Sequence, residues 1–163
     1  IDLAIRITNT LEQGIIARPL ATCHSVTCAS PHYLDKMGRP QRPEDLSQHV
    51  CLTHAKFSAH SWIFRSLAEN SELIKIPVKG RISANEVLAL KDAATAGVGI
   101  TLLPAYLVRN ELASGQLEAI LTEYEIEPMT IYAIYTSRNH MSAALRTLLN
   151  FLDERFKSDS FWK

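Results

Sequence analysis

Net charge and long apolar runs are the first things missing from this chain of 163 residues. The 17 basic and 17 acidic side chains cancel, and no Lys/Arg-rich run is present. Proteins that bind nucleic acid usually show a basic stripe, so this balance argues against that function for this piece alone. No apolar run approaches the length of a membrane span and no signal peptide opens the chain. We therefore expect a cytoplasmic protein with no membrane partner.

Cysteine is scarce and is not spaced for metal or disulfide chemistry. Cys23, Cys28 and Cys51 are odd in number and form no CxxC pair. Such thiols are typical of a reduced cytoplasmic protein rather than of a disulfide framework or a zinc site. The 6 histidines are scattered, with no acidic or cysteine partner at ligand spacing. We interpret them as ordinary loop or surface residues and expect no metal.

Motifs of enzymes and nucleotide-binding proteins are also missing. Gly97-Val98-Gly99 is only part of a dinucleotide fingerprint, because Leu102 stands where the third glycine belongs. There is no GxSxG elbow, HExxH pair or Walker-type loop, and no nucleophile–base pair is evident. The sequence therefore predicts neither a cofactor nor an enzyme.

Residues 78–115 form the best-defined stretch and read as strand, helix, strand and helix. Residues 78–83 alternate apolar and polar side chains, as a strand does. Asn85 is a good N-cap for a helix over residues 86–96, which are rich in leucine and alanine. This order predicts a βαβα unit of an α/β sheet.

Glycine and proline punctuate the second half of that stretch. Gly97 stands where a left-handed residue ends the helix, and residues 98–103 form the short apolar run of a buried strand. Pro104 suits the first turn of the next helix. Ligands of open α/β sheets bind beyond the carboxyl ends of the strands, so we expect a ligand near residues 83–85 and 103–104.

Two proline-marked junctions, near Pro31 and Pro128, divide the chain into a middle block and two ends. We expect the two ends of the chain to form a second sheet. The apolar spacing of residues 142–156 predicts an amphipathic helix. A chain that leaves one lobe and returns to it crosses twice, and ligand clefts tend to lie where such lobes meet. Residues 1–7 read as a strand already formed at the first residue, so we interpret the chain as a fragment.

Local chemistry leaves the roles of four candidate residues open. Asn85 and Glu86 either cap a helix or present free backbone amides to an anionic or carbonyl group of a ligand. Trp62 is either a core residue or a platform for the ligand. Arg6, expected just beyond the carboxyl end of a strand, is either a solvent-exposed arginine or the partner of a ligand carboxylate.

Short motifs occur in a characteristic order along residues 1–156. They are Asp2-Leu3-Ala4-Ile5-Arg6, Cys28-Ala29-Ser30-Pro31 with Tyr33-Leu34, Pro43-Glu44-Asp45-Leu46 with His49 and Cys51-Leu52, Trp62-Ile63-Phe64, Gly80-Arg81-Ile82-Ser83-Ala84-Asn85, and Ala93-Ala94-Thr95-Ala96-Gly97-Val98-Gly99-Ile100-Thr101-Leu102-Leu103-Pro104. Each motif is weak by itself. As an ordered set they resemble the effector-binding domain of LysR-type transcriptional regulators, in particular the CrgA-like branch.

The resemblance implies an α/β, type II periplasmic-binding-protein fold, with two α/β lobes joined by two crossover strands. Residues 1–29 plus 128–163 would form an incomplete first lobe, and residues 30–127 the second. The crossings would fall at residues 29–31 and 124–128. The family's DNA-binding winged helix-turn-helix is absent from this chain, so DNA would be bound only through that missing N-terminal domain.

The resemblance also implies a sensor that couples ligand binding between the lobes to the shape of a DNA-bound homodimer or tetramer. The effector is a small molecule of unknown class, with small carboxylates and aromatic compounds as candidates. A free-standing solute-binding protein, or an enzyme on the same two-lobed fold, is the alternative. Carried onto matching positions, the ligand-binding residues are Arg6, Ser30, Trp62, Ser83, Asn85, Glu86 and Leu103.

Overall fold

The computed structural model describes residues 2–56, 61–68, 73–78, 80, 82–135 and 141–159. The strands are β1 (Leu3–Thr8), β2 (Ile16–Cys23), β3 (Ser25–Ala29), β4 (Cys51–His54), β5 (Ser61–Ser66), β6 (Leu73–Pro77), β7 (Ile82–Ala84), β8 (Ile100–Pro104), β9 (Glu118–Ala119), β10 (Tyr124–Ile126) and β11 (Met129–Tyr135). The α-helices are α1 (Pro31–Met37), α2 (Val87–Thr95), α3 (Arg109–Ala113) and α4 (Ala143–Ser158), and 3₁₀ helices span Pro43–Gln48 and Ala105–Leu107. Across these described ranges, no helix is long and apolar enough to cross a membrane.

The chain divides into two compact units. The first unit joins Ile1–Cys23 to Pro128–Lys163, and the second is His24–Glu127. We expected residues 25–29 in the first lobe, but this strand belongs to the second unit because β3 pairs with β8 on one side and β9 on the other. The expected crossing at residues 29–31 is therefore wrong.

Pro31 explains the misplaced crossing. It is the first residue of α1, and Ser30 is the N-cap whose hydroxyl oxygen accepts the N–H of Tyr33 at 3.3 Å. Proline is well suited to the first helical position, where its missing N–H costs no hydrogen bond. The proline thus marks the start of a helix and not a passage between units.

In the first unit, one helix covers one face of a small antiparallel sheet. The strand order is β1-β11-β2, so β11 is central and β1 lies at an edge. The hydroxyl of Ser142 caps α4 by accepting the N–H of Leu145 at 3.2 Å, as expected for a helix near residues 142–156. Buried Leu149 of α4 packs with Leu20 and Ile131 from the sheet. Apolar residues at helical spacing were enough to predict this helix.

In the second unit, a five-stranded sheet of order β7-β4-β8-β3-β9 separates two apolar clusters. The clusters lie on opposite faces because neighbouring residues of a strand point to opposite sides: Cys51 belongs to one cluster and Leu52 to the other. Leu90 of α2 packs in the cluster with Leu52. The other face is covered by α1 and by a three-stranded sheet of order β10-β5-β6.

The βαβα stretch folds largely as expected, with shorter strands. The helix spans Val87–Thr95, and Gly97 follows it with a φ of 81°, in the left-handed region that glycine favours. The next strand is Ile100–Pro104, and the chain beyond it forms a 3₁₀ turn before α3. The strand expected at residues 78–83 is reduced to Ile82–Ala84; Lys79 and Arg81 lie outside the described residues, as does Ile1 of the strand expected at the start.

Candidate functional site

Three parallel strands of the second unit end at one edge of its main sheet. Register places His54 of β4 beside Ala84 of β7, and Cys51 of β4 beside Ile100 of β8. The carboxyl ends of β7, β4 and β8 therefore lie side by side. In open α/β sheets this is the edge at which ligands bind, so we take it as the candidate site.

Ser83, Asn85 and Glu86 lie at this edge with exposed side chains. The sequence predicted Asn85 as the N-cap of α2, but the N-cap is Glu86. Its Oε1 accepts the N–H of Leu88 at 3.2 Å. The carboxylate thus meets the positive end of the helix dipole. Asn85 lies outside the helix with an exposed side chain, and it is not the N-cap of α2.

His54, which the sequence analysis missed, is the last residue of β4 at this edge, and its side chain is buried, with 8% exposure. Its Nδ1 accepts the backbone N–H of Lys56 at 3.2 Å, so a neutral ring carries its proton on Nε2. The N–H of Ala55 also donates to the carbonyl of Ala84 at 2.9 Å and ties the two strand ends together. The available signal was a histidine directly after the strand-like residues 50–53.

Leu103 does not line the edge, although it was a predicted site residue. It is fully buried, lies opposite Val26 of β3 and packs in the cluster under α2. The backbone closes the edge here, because Ala105 N–H donates to the carbonyl of His24 at 2.9 Å. Leu103 is a core residue.

Ser30 lies at the opposite edge of the sheet from Ser83, Asn85 and Glu86. Because β3 is antiparallel to β8, Ser25 lies beside Pro104 while Cys28 lies beside Thr101. Five residues of extended chain, roughly 17 Å, separate Ser25 from Ser30. Ser30 is buried and caps α1, so the structure does not bring it together with Asn85.

Trp62 belongs to β5, in the three-stranded sheet β10-β5-β6, and not to the sheet that carries the candidate edge. It is 1% exposed and packs edge-to-face on Phe64, with ring centroids 6.5 Å apart. Its indole Nε1 is buried and has no hydrogen-bond partner within the described part of the chain. Of the two interpretations left open by the sequence, the structure supports the core residue.

Arg6 belongs to the first unit and lies within β1, opposite Tyr132. The expectation that it follows the carboxyl end of a strand is wrong, because β1 continues to Thr8. Its side chain is 58% exposed, and the guanidinium lies 4.0 Å from the carboxylate of Glu12. An exposed ion pair of this kind contributes little to stability.

The three buried cysteine thiols are expected to be unreactive. Burial raises the pKa of Cys28 and of Cys51 to about 12, and burial also raises the pKa of Cys23. A thiol that stays protonated is a poor nucleophile and a poor metal ligand. Among the described residues, no group of three or more His, Cys, Asp and Glu side chains could hold a metal ion.

Comparison with known proteins identifies the family. The family model described as the LysR substrate binding domain matches residues 1–157. The chain belongs to the LysR substrate-binding domain family. It is 30% identical to the HTH-type transcriptional activator AaeR of Escherichia coli K12, over 96% of this chain and 50% of the relative. It is 34% identical to the HTH-type transcriptional regulator DmlR of the same strain, with the same coverage.

Solved structures of LysR-type regulators share the fold. Full-length AphB of Vibrio cholerae matches with a TM-score of 0.83 at 26% identity, over 94% of this chain and 51% of that one. The regulatory domain of CrgA from Neisseria meningitidis matches with a TM-score of 0.79 at 30% identity, over 95% and 75%. The predicted LysR resemblance and the type II periplasmic-binding-protein α/β fold are confirmed. The LysR-family chain spans about half the length of the curated relatives it matches.

Proposed function

We propose that this chain is the effector-sensing part of a LysR-type transcription regulator. The family match over residues 1–157 carries the proposal, and the open carboxyl edge of β7, β4 and β8 supports it. The two compact units would be the two lobes, with the first boundary at residues 23–24 rather than 29–30. The relatives are transcription regulators, which favours this function over an enzyme or a free-standing solute-binding protein.

On this proposal, a small-molecule effector contacts Ser83, Asn85 and Glu86, with His54 added from the structure. All four lie at or just beyond the last two residues of β7 or β4 at one sheet edge, and together they offer a hydroxyl, an amide, a carboxylate and an imidazole. Arg6, on the other unit, stays a prediction. Binding would shift the population of regulator shapes in the cytoplasm, and DNA would be bound by another part of the full-length protein.

A thermal-shift screen of small carboxylates, aromatic compounds and lactones tests the proposal and finds the effector class. With a hit in hand, Asn85→Ala is expected to reduce the ligand-induced rise in melting temperature. Asn110→Ala is the matched control, because Asn110 is an equally exposed asparagine of the same unit, on α3. Equal ligand-induced shifts in the wild type and both variants would place the effector elsewhere and contradict the site.

Self-association belongs to the same proposal and rests on an apolar strip of the first unit. Asp153 of α4 binds Arg18 of β2 at 2.9 Å, which turns that flank of the helix toward β2. Leu148 and Phe151 lie on the opposite flank, toward β1, and are exposed, as is Ile5 on β1. A free strand edge beside exposed apolar side chains favours pairing with a second copy.

Light scattering tests whether the chain forms a homodimer or tetramer through this strip. Phe151→Ser is expected to lower the average mass at a given concentration. Leu67→Ser is the control, because Leu67 is a similarly exposed leucine of the second unit. A monomer at all concentrations, or equal effects of the two substitutions, would contradict this interface while leaving effector binding untouched.

A further inference from the structure

A cavity of about 280 Å³ lies in the second unit, away from the candidate site. It opens between the chain that follows α1 and the segment that leads from β9 into β10. Its lining includes Arg39, Pro40, Glu118, Ile120, Glu123 and Tyr124. Ala29 of β3 pairs with Glu118 of β9, so the cavity lies at the end of β3 remote from Ser25. Ser25 is the end of β3 beside the candidate site. A ligand in the cavity would not compete with one at that site.

Ion pairs fix one wall of the cavity. Arg39 donates two hydrogen bonds to the carboxylate of Glu118, from Nε to Oε1 and from Nη2 to Oε2, each 3.0 Å long. Its Nη1 donates to Asp35 Oδ1 at 3.0 Å. Bidentate arginine–carboxylate pairs hold both partners in one geometry. The geometry of this wall is therefore fixed without a bound ligand.

Backbone hydrogen bonds fix the other wall. The N–H of Ile120 donates to the carbonyl of Thr27 at 2.9 Å, and the N–H of Tyr124 donates to the carbonyl of Leu121 at 3.0 Å. Between them Leu121 has a φ of 55°, a left-handed conformation that a leucine rarely adopts. Such a conformation persists only where its surroundings enforce it.

We propose that this cavity is a second ligand site, and that it takes a small organic ammonium ion with a short apolar tail. Two lining residues are acidic, Glu118 and Glu123, and one is basic, Arg39. The guanidinium of Arg39 is already paired with Glu118 and with Asp35, which lies outside the lining. An anion would have to displace one of two carboxylates already bound to Arg39. A cation adds its attraction to Glu123 without breaking those pairs.

The rest of the lining suits the tail and the size of such a cation. Ile120 and Leu121 are nearly buried and extend the apolar core to the cavity, and Pro40 is buried beside them. Tyr124 also lines the cavity, and aromatic rings attract ammonium groups. The cavity of about 280 Å³ is slightly smaller than the pockets of about 300–1,000 Å³ that hold drug-sized ligands, so we expect a small ligand.

Isothermal titration with three four-carbon probes tests the proposal: n-butylammonium, 1-butanol and butyrate. Butylammonium is expected to bind with saturation and to weaken as salt is added, since the attraction is screened. Butanol is expected to bind less tightly, and butyrate not to bind. If butanol binds as well as butylammonium, or if none of the three binds, the proposed ammonium site is refuted.

Two matched glutamate variants test whether butylammonium binds in this cavity. Glu123→Gln keeps the size of an exposed side chain and removes its charge, and it is expected to raise the Kd of butylammonium roughly fivefold, the equivalent of about 1 kcal/mol. Glu44→Gln makes the same change on an exposed glutamate outside the cavity and should leave the Kd unaltered. Equal Kd values for the two variants would show that the amine is attracted by overall charge and would overturn the site. This result does not depend on whether the effector binds at Asn85.

Discussion

The phenol oxygen of Tyr33 accepts the backbone N–H of Val50 at 2.9 Å and joins α1 to the entry of β4. Tyr33 is buried, and its own hydroxyl proton is free to be donated to Nδ1 of His49, 3.2 Å away. The ring of His49 is tilted against that of Tyr33, with centroids 5.8 Å apart. The Tyr33 side chain thereby satisfies a partly buried backbone donor just before the strand that ends at the candidate site.

Tyr33→Phe is expected to destabilise the fold by about 2 kcal/mol, because the N–H of Val50 loses its acceptor while the aromatic packing stays. Urea unfolding monitored by circular dichroism measures the free energy of unfolding. Tyr132→Phe, on β11 of the first unit, is the control for loss of a hydroxyl group and should change it less. A Tyr33→Phe variant as stable as the wild type would mean that water replaces the phenol.

The sequence predicted correctly those features that depend only on residues close together in the chain. The left-handed Gly97 and the leucine spacing of α4 each act within a few residues, and each stands where expected. The family followed from many short motifs whose order is independent of strand pairing. These parts of the fold needed no knowledge of which strands are neighbours.

The candidate site was predicted only in part, because strand order is non-local. Ser83 and Asn85 were found from the end of β7, but His54 was missed, since nothing near it in the chain shows that β4 lies between β7 and β8. Ser30 was misplaced for the same reason: its position depends on β3 running antiparallel to β8. Trp62 was uncertain because a strand on another sheet has the same local pattern as one at the site.

Stability is expected to fall as the pH drops through the range in which His49 titrates. Burial lowers the pKa of His49 below its ordinary value of 6.5, so the unfolded chain binds the proton more tightly than the folded one. The stability contributed by the neutral ring is complete above the unfolded pKa and is lost as the pH falls toward the folded pKa. Urea midpoints of the wild type and His49→Gln, compared at about pH 8 and about pH 5.5, measure this contribution.

His32→Gln is the control for that pH series, because His32 is an exposed histidine on α1. The drop in midpoint between the two pH values should be smaller in His49→Gln than in the wild type, and unchanged in His32→Gln. A drop of the same size in all three proteins would show that His49 titrates alike in the folded and unfolded chains.

Gly99 is expected to tolerate alanine worse than Gly14 does. A Cβ on Gly99 would collide with the backbone carbonyl of Val50, which accepts the N–H of Ile100 at 2.8 Å and cannot move without breaking the β4–β8 pairing. Overpacking of this kind costs about 2–3 kcal/mol. Gly14 has a φ of 85° but open space around it, so alanine there costs only backbone strain, about 1 kcal/mol. Thermal unfolding of the two variants gives the order, and a reversed order would contradict the close contact at Val50.

The last prediction separates helix capping from ligand binding at the two neighbouring residues that open α2. Glu86 caps the helix through Leu88 N–H, so Glu86→Ala is expected to lower the free energy of unfolding by about 1 kcal/mol without any ligand. Asn85 lies outside the helix, and Asn85→Ala is expected to leave the ligand-free protein unchanged. Urea titrations of the two variants without effector decide this. If Asn85→Ala proved the more destabilising, Asn85 would be the working cap after all, and a weaker effector response in that variant would no longer indicate contact with the ligand.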